Sequence, residues 1–291
     1  MKTIIVGSGY AGLNAYYNLN EEPIIISQHN KFVFYTSLTR SLLFKPLMDT
    51  VNIPFVTVDK VIEFDLKGKW IKTQNHEYNA DNLIIATGCN REEQIQFIKK
   101  LRGLDRISIE AENEFYDGYL VVQLAFYLKK LGKQVYYHGS YLSFLGDRVA
   151  QVLANKMNEK HIQYTEKADL VFPACKPLSP FQFFKVNEYL QYQNSFIIGD
   201  LIENMPKLGE LAMRTGIYVG KFINDHRAGK FSPIFVTIID TGSEGIHIRS
   251  DRPWGGNKEV VKISKLRQYM KRFIERYYII RRGNMGFLYH V

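Results

Sequence analysis

Cysteine is scarce in this chain of 291 residues, which has only Cys89 and Cys175. Two cysteines cannot build the disulfide framework of a small secreted scaffold, and no C-x-x-C spacing offers a metal site. Histidine is no better organised. His29, His76, His138, His161, His226, His247 and His290 are scattered, without the H-x-x-x-H or H-E-x-x-H spacing of a metal centre. No spacing points to a Ser-His-Asp triad, so most of these histidines are expected at the surface or in ordinary hydrogen bonds. No uncharged apolar run is long enough to cross a bilayer, and low-complexity segments and internal repeats are lacking. Met1-Lys2-Thr3 runs straight into Ile4-Ile5-Val6 without the pattern of a signal peptide, so a reducing cytoplasmic setting is expected.

What is present is a chain rich in core-forming residues. Hydrophobic residues make up 46% of it and aromatic residues 14%, enough for one or two domains with a sizeable core and too much for disorder. The formal charge of +9 favours anionic partners: nucleic acid, acidic lipid headgroups or a phosphate-rich cofactor.

Lys2 to Val6 reads as a buried strand, Leu13 to Leu19 as a helix and Pro23 to Ile26 as a second buried strand. Between the first two lies Gly7-Ser8-Gly9-Tyr10-Ala11-Gly12. In a G-x-G-x-x-G loop the first glycine permits the tight turn and the second lets backbone approach a pyrophosphate. The third lets the helix pack on the strand. The pyrophosphate then meets the positive end of the helix. Alone the motif is weak; after a strand and before a helix it signifies a dinucleotide site. The second strand ends in Ser27-Gln28, where Asp or Glu is usual for the ribose hydroxyls. Either side chain can still hydrogen-bond a ribose, without the strength of a charged acceptor.

Short strands are expected from Val51 to Tyr78, then an apolar strand Asn82 to Ala86 closed by Thr87-Gly88. A second small α/β unit follows, with strands at Ile107–Ile109, Gln134–Tyr137 and Ala168–Phe172 and helices at Gly118–Lys130 and Arg148–Asn158. Ser195 to Ile198 returns as a strand closed by Gly199-Asp200, and Lys207 to Asp225 reads as a helix.

These landmarks resemble, in order and separation, the FAD-dependent pyridine nucleotide-disulfide oxidoreductases. Leu83 to Gly88 resembles the strand and turn that family sets beside its cofactor. Phe196-Ile197-Ile198-Gly199-Asp200 is similar to the segment whose aspartate contacts the ribityl-phosphate region. Pro206-Lys207-Leu208-Gly209-Glu210-Leu211-Ala212 resembles the helix start that points its amides at the flavin. Tyr116-Asp117-Gly118, Asp169 to Pro173 and the tail helix around Lys271-Arg272-Phe273-Ile274-Glu275 bring the likeness closest to sulfide:quinone oxidoreductases and type II NADH dehydrogenases. The resemblance implies FAD as cofactor, held by Gly7, Gly9, Tyr10, Ala11, Gly12, Ser27, Gln28, Thr87, Gly88, Gly199, Asp200, Lys207, Leu208 and Gly209. It also implies a quinone or other small electron acceptor.

The departures are as specific. Where NADH-using relatives place a second glycine loop, this chain has Glu110 to Gly118, with one glycine, several carboxylates and the bulky Phe115 and Tyr116. Carboxylates repel a pyrophosphate, so direct NAD(P)H use is not expected. The family's redox cysteines are replaced by Glu112-Asn113-Glu114 and Val236-Thr237-Ile238. A buried cysteine is usually a small apolar core residue, and Cys175, beside Pro173, is the candidate if either cysteine is catalytic.

Lys262, Lys265, Arg267, Lys271, Arg272, Arg276, Arg281 and Arg282 stand against the single acid Glu275 near the C-terminus. Ile263, Leu266, Tyr269, Met270, Phe273, Ile274, Tyr277 and Tyr278 recur at helical spacing from Lys262 to about Ile280. Such a helix suits an anionic membrane surface over residues 262–282, on the inner face of the membrane, or else a homodimer contact or the body of the protein itself. No nucleic-acid motif accompanies the charge, and nucleic acid is not expected as a partner.

The sequence thus predicts an α/β protein: a Rossmann-type FAD domain (1–104 and 191–235), an inserted, reduced second dinucleotide-type domain (105–190) and a C-terminal amphipathic extension (236–291). The expected activity is an FAD-dependent oxidoreductase passing electrons to a membrane quinone or similar acceptor, its donor unspecified. The alternative is a catalytically degenerate flavin-binding regulatory or scaffold subunit.

Overall fold

The structure is a computed structural model that describes residues 1–44, 50–227 and 229–290. Its helices over those residues are α1 (Tyr10–Asn18), α2 (Leu38–Phe44), α3 (Glu92–Leu101), α4 (Glu114–Lys130), α5 (Asp147–Glu159), α6 (Gly209–Asn224) and α7 (Lys265–Ile280).

The strands Thr3–Val6, Ile24–Ser27, Asn82–Ile85 and Ser195–Ile197 are apolar and buried almost throughout, as parallel strands covered by helices must be. In space the first sheet runs Gln191–Tyr192, Ser195–Ile197, Asn82–Ile85, Thr3–Val6, Ile24–Ser27, Thr57–Val58. All neighbours are parallel except the edge ribbon at Gln191–Tyr192. Helix α1 begins earlier than its apolar pattern suggests, because Tyr10, Ala11 and Gly12 of the glycine loop form its first turn. Opposite it α6 packs backbone against backbone: a Cβ on Gly216 would stand 2.1 Å from the Ala11 carbonyl oxygen.

A second, four-stranded parallel sheet (Gln163–Tyr164, Gln134–Tyr137, Arg106–Ala111, Leu170–Phe172) forms the middle unit. Its central helix α4 starts at Glu114, four residues before the predicted Gly118. The Asn113 side chain accepts the Tyr116 N–H at 3.0 Å and so caps the helix inside what the sequence suggested was a loop. Residues Leu120 to Leu128 of α4 are all buried, because the helix lies between this sheet and the C-terminal one.

The C-terminal unit is an antiparallel sheet of Phe235–Asp240, Gly245–Ser250 and Glu259–Ser264, backed by α7. Helix α7 starts three residues later than predicted. Lys262 to Ser264 complete the third strand, and the Ser264 hydroxyl accepts the Arg267 N–H as an N-cap. Beyond α7 the chain folds back onto the first domain. Asn14, buried in α1, donates to the Gly283 carbonyl and accepts from the Met285 N–H.

Candidate functional site

A cleft of about 520 Å³ opens at the C-terminal ends of Thr3–Val6, Ile24–Ser27 and Asn82–Ile85, where an α/β sheet places its ligands. The glycine loop forms its floor. Gly7 has φ +109°, and a Cβ there would lie 2.4 Å from the Ala86 carbonyl oxygen; on Gly12 it would lie 1.9 Å from that of Gly7. Neither position admits a side chain. Gly9 is different: its Cβ would meet nothing within 4 Å, and Gly9 lines the open cleft. The first-turn amides of α1, which a helix leaves without intrahelical partners, follow it directly. Thr87, whose backbone nitrogen lies against Gly7, also lines the cleft, and its Oγ1 is buried without a hydrogen-bond partner. Bare backbone at the open end of a helix fits a diphosphate group.

Ser27 and Gln28 line the outer part of the cleft, and beside them stands an acid the sequence reading missed. Asp59 follows the strand Thr57–Val58, and its N–H donates to the Ser27 carbonyl at 3.0 Å. Its Oδ1 accepts the Lys60 N–H, and Thr73, Asn75 and His76 face the carboxylate, with His76 Nδ1 3.7 Å from Oδ2. This aspartate, one strand further across the sheet, puts a carboxylate in the cleft lining beside Ser27-Gln28, which have none. The available signal was an acid directly after a short strand, a pattern too common to single out. Replacing Asp59 by Ala is expected to weaken FAD binding by roughly tenfold, the loss of one charge-assisted hydrogen bond of about 1.5 kcal/mol. Fluorescence titration of the apoprotein with FAD checks this; unchanged affinity removes Asp59 from the site.

At the inner end, Arg91 is buried and binds two carboxylates. Its guanidinium donates to Asp117 at 3.2 Å, to Asp200 at 3.0 Å and to the Lys207 carbonyl at 3.0 Å. Burial works against the Arg91 charge, but Asp200 and Asp117 more than offset it and hold the group protonated. Burial also displaces the Asp117 carboxyl upward, against the lowering effect of Arg91. Lys207 is wholly buried, its ammonium 4.0 Å from the Tyr116 ring centre and 4.3 Å from that of Phe183, donating to the Ile202 carbonyl. Burial pulls it down to about 8.

The cysteines sit beside this network and are joined to each other, which corrects their reading as separate residues with Cys175 as a lone candidate. Their Cα atoms are 5.5 Å apart across 86 positions of sequence. Cys89-Asn90 pairs antiparallel with Lys176-Pro177, a ribbon that brings the exit of the FAD-type strand Asn82–Ile85 against the exit of the middle domain. Cys89 lines the cleft with Thr87 and Arg91, and its Sγ lies 4.0 Å from the Asp200 carbonyl oxygen. Cys175 is buried, and its N–H donates to Asp117 at 3.0 Å.

Of the expected cofactor residues, Gly7, Gly9, Tyr10, Ser27, Gln28 and Thr87 line the cleft. Ala11 and Gly12 lie behind it in the first turn of α1, and Gly88 (φ +67°) turns the chain into the cysteine ribbon. Asp200 faces Arg91, and Gly199 faces Ala11 and Ala212. Lys207, Leu208 and Gly209 do not line the cleft: Tyr10 and Thr36 pack over Gly209, with the Tyr10 hydroxyl bonded to Thr36.

Behind that contact lies a mostly apolar chamber of about 130 Å³ between α4, α6, the C-terminal sheet and α7. One segment forms the wall between the two spaces. Val33 and Tyr35 face the cleft, while Phe34 and Thr36 face the chamber. Helix α7 gives the chamber Met270, Lys271, Ile274, Glu275 and Tyr278. Its other side leaves Leu266 (68%), Tyr269 (63%), Phe273 (57%) and Ile280 (78%) exposed, so the single apolar face predicted for this helix is divided between the body and the outside.

In the middle unit, Glu114 follows the strand Arg106–Ala111 and turns its carboxylate to the loop after Gln134–Tyr137. Its carboxylate accepts from the Ser140 N–H at 2.9 and 3.0 Å, from the Leu142 N–H at 3.2 Å and from the Tyr137 hydroxyl at 3.3 Å. Gly139, Tyr141 and Leu142 all have positive φ, which turns these amides towards one anion.

No protein-family model matches the chain, and no curated protein matches its sequence. Solved structures do share its fold. The sulfide:quinone oxidoreductase of the hyperthermophilic bacterium Aquifex aeolicus is similar with a TM-score of 0.79 at 17% identity, over 98% of this chain and 93% of its own. The NAD-dependent persulfide reductase of A. fulgidus has a TM-score of 0.62 at 18% identity, over 86% of this chain and 64% of its own. The water-forming NADH oxidase of Lactobacillus brevis also reaches 0.62, at 14% identity, over 86% of this chain and 75% of its own. The fold is that of the pyridine nucleotide-disulfide oxidoreductases, as its α/β pattern and glycine loop suggested.

Proposed function

We propose that this protein is an FAD-dependent oxidoreductase that delivers electrons to a quinone or similar ring acceptor at an anionic membrane surface, and that it does not take them directly from NAD(P)H. The observation that carries the reading is the glycine-floored cleft at the sheet's C-terminal edge, with a redox-capable cysteine pair at its inner end. Gly7, Gly9 and Gly12 with the first turn of α1 would hold the diphosphate, and Asp59, Ser27 and Gln28 the adenosine ribose. When bound, FAD supplies a ring that takes up and hands on two electrons.

The cysteine pair supports a thiol-class donor. Reducing one disulfide consumes two electrons and two protons and yields two thiols; a bound FAD would accept the two electrons as the disulfide re-forms, with the two protons passing to the cofactor and solvent. Arg91, Asp117 and Asp200 keep the surroundings of the pair polar, and Cys89 is reached from the cleft. On the acceptor side, the chamber lies one chain segment away from the cleft and meets α7, whose outward Leu266, Tyr269, Phe273 and Ile280 lie among basic residues. Against NAD(P)H stands Glu114: its negative charge already occupies the amides that would receive a nucleotide's anionic group, and like charges there repel.

The purified protein is expected to be yellow. Dithiothreitol should bleach the flavin of the wild type within seconds and that of Cys175→Ser at least tenfold more slowly, NADH should leave both oxidised, and 1,4-benzoquinone should restore the colour. Fast bleaching by NADH removes the donor assignment. Complete inertness to dithiol and quinone favours the flavin-binding scaffold instead. The membrane contact has its own check. Sedimentation with phosphatidylserine vesicles should be strong at low salt and fall as salt rises, since each basic side chain contributes about 1 kcal/mol that is screened within a Debye length. Protein left in the supernatant at low salt sinks that part of the reading.

A further inference from the structure

The first turn of α6 carries a carboxylate that the reading above does not use. Glu210 lines the apolar chamber. Its Oε1 accepts a hydrogen bond from Arg214 one turn later, while Oε2 is buried without a hydrogen-bond partner. An orphaned, buried carboxylate oxygen costs on the order of 1–3 kcal/mol or more, and a ligand or a proton is the usual remedy. The charged and titratable groups that face it are Arg214 on its own helix, Arg249 on the strand Gly245–Ser250 and Tyr278 on α7. Lys271, Glu275 and His247 line other walls of the same chamber.

Only one of the chamber's groups is suited to exchange a proton near neutrality. Burial pushes the Glu210 carboxyl up to about 7, although Arg214 and Arg249 pull it down. His247 is pushed down to about 4 by burial and by Arg267, Lys262 and Arg249, so it carries no proton to give. Burial lowers Lys271, but its ammonium donates to the Gln123 side chain. Glu275 is engaged by the Arg40 guanidinium. The chamber's size also restricts the ligand. A cavity of roughly 150 Å³ accepts benzene, and about 130 Å³ therefore accepts one six-membered ring with little to spare.

We propose that Glu210 passes a proton to a carbonyl oxygen of a single-ring quinone seated in this chamber. The proposal rests on the acceptor reading above. A quinone becomes a quinol by gaining two electrons and two protons. A bound, reduced FAD would supply the two electrons; of the two protons, one leaves the Glu210 carboxyl as the new O–H bond forms and the other is taken from solvent. The carboxylate that remains is held by Arg214 until it is reprotonated from solvent.

Two measurements test this with the FAD-loaded protein. In stopped flow, unsubstituted 1,4-benzoquinone should reoxidise the dithionite-reduced wild type at a rate that falls as pH rises through about 7, where Glu210 loses its proton. Glu210→Gln, with the flavin absorbance and circular dichroism of the wild type, should be about 100-fold slower, with that pH dependence gone. Independently of turnover, infrared difference spectra of the wild type should show a protonated carboxyl band a pH unit below that midpoint, absent a unit above it and absent from Glu210→Gln throughout. Wild-type turnover with a pH profile that Glu210→Gln leaves unchanged, or the lack of the titrating band, overturns the proposal alone. Failure of 1,4-benzoquinone to reoxidise the wild type at every pH overturns the acceptor reading and the proposal together.

Discussion

Gly9→Glu is expected to yield a well-folded, colourless protein. Gly9 is the N-cap of α1 with φ −84° and ψ −162°, a conformation open to any residue, and a Cβ there meets nothing within 4 Å. The fold therefore has no reason to change. The added side chain instead grows into the cleft at the point where backbone must approach a diphosphate, and it brings a negative charge. Steric exclusion and like-charge repulsion together cost at least about 3 kcal/mol, a loss of FAD affinity on the order of 100-fold. The wild type should melt several degrees higher with FAD than without it, because a ligand present at about 1,000 times its Kd stabilises by roughly 4 kcal/mol. The variant should show no such shift, while its circular dichroism and its own melting temperature match those of the wild-type apoprotein. Gly9→Ala, smaller and uncharged, should retain most of its flavin. A Gly9→Glu protein that stays yellow would mean that no diphosphate lies over this loop.

That prediction rests on the part of the molecule most legible in the sequence. Short aliphatic runs flanking Gly7 to Gly12 specify buried parallel strands and a helix between them, because period and turn chemistry agree locally. The same holds for Asn82 to Gly88 and Ser195 to Asp200, and all three segments lie side by side in one sheet. What the sequence concealed are pairings between distant segments. Asp59 reaches the cleft only because Thr57–Val58 lies next to Ile24–Ser27, and nothing local says so. Cys89 and Cys175 meet across a two-residue ribbon between domains, a contact without periodic signature. Arg91 looks like one of many surface arginines until Asp117 and Asp200 converge on it. In α7, amphipathic spacing identified a helix but could not tell which apolar residues turn inward, since Met270 and Phe273 are equally hydrophobic on such a count.

Arg91→Met is expected to cost about 3–5 kcal/mol of stability near neutral pH, the usual result of removing one partner from a buried ion pair. Methionine fills the length of the side chain but leaves Asp117 and the inner side of Asp200 as uncompensated carboxylates, and the Lys207 carbonyl without one of its donors. Two to four degrees per kcal/mol is usual for a chain of this general size, so the melting temperature should fall by about 10 °C. The pH dependence has a definite sign. Burial already raises the Asp117 carboxyl above its unfolded value, with Arg91 opposing the shift, and loss of Arg91 raises it further. A group raised on folding contributes most below its unfolded pKa and loses that contribution as pH rises through its folded one. The deficit of Arg91→Met should therefore be largest at neutral and higher pH, and shrink as acid neutralises Asp117. Adding Asp117→Asn to Arg91→Met should recover part of the lost stability, because it removes the charge that Arg91 no longer balances. Asp117→Asn alone should be destabilising, so the two changes are non-additive by at least about 1 kcal/mol in urea denaturation. Strict additivity, or a deficit that grows on acidification, would show that Asp117 and Arg91 do not share a buried pair.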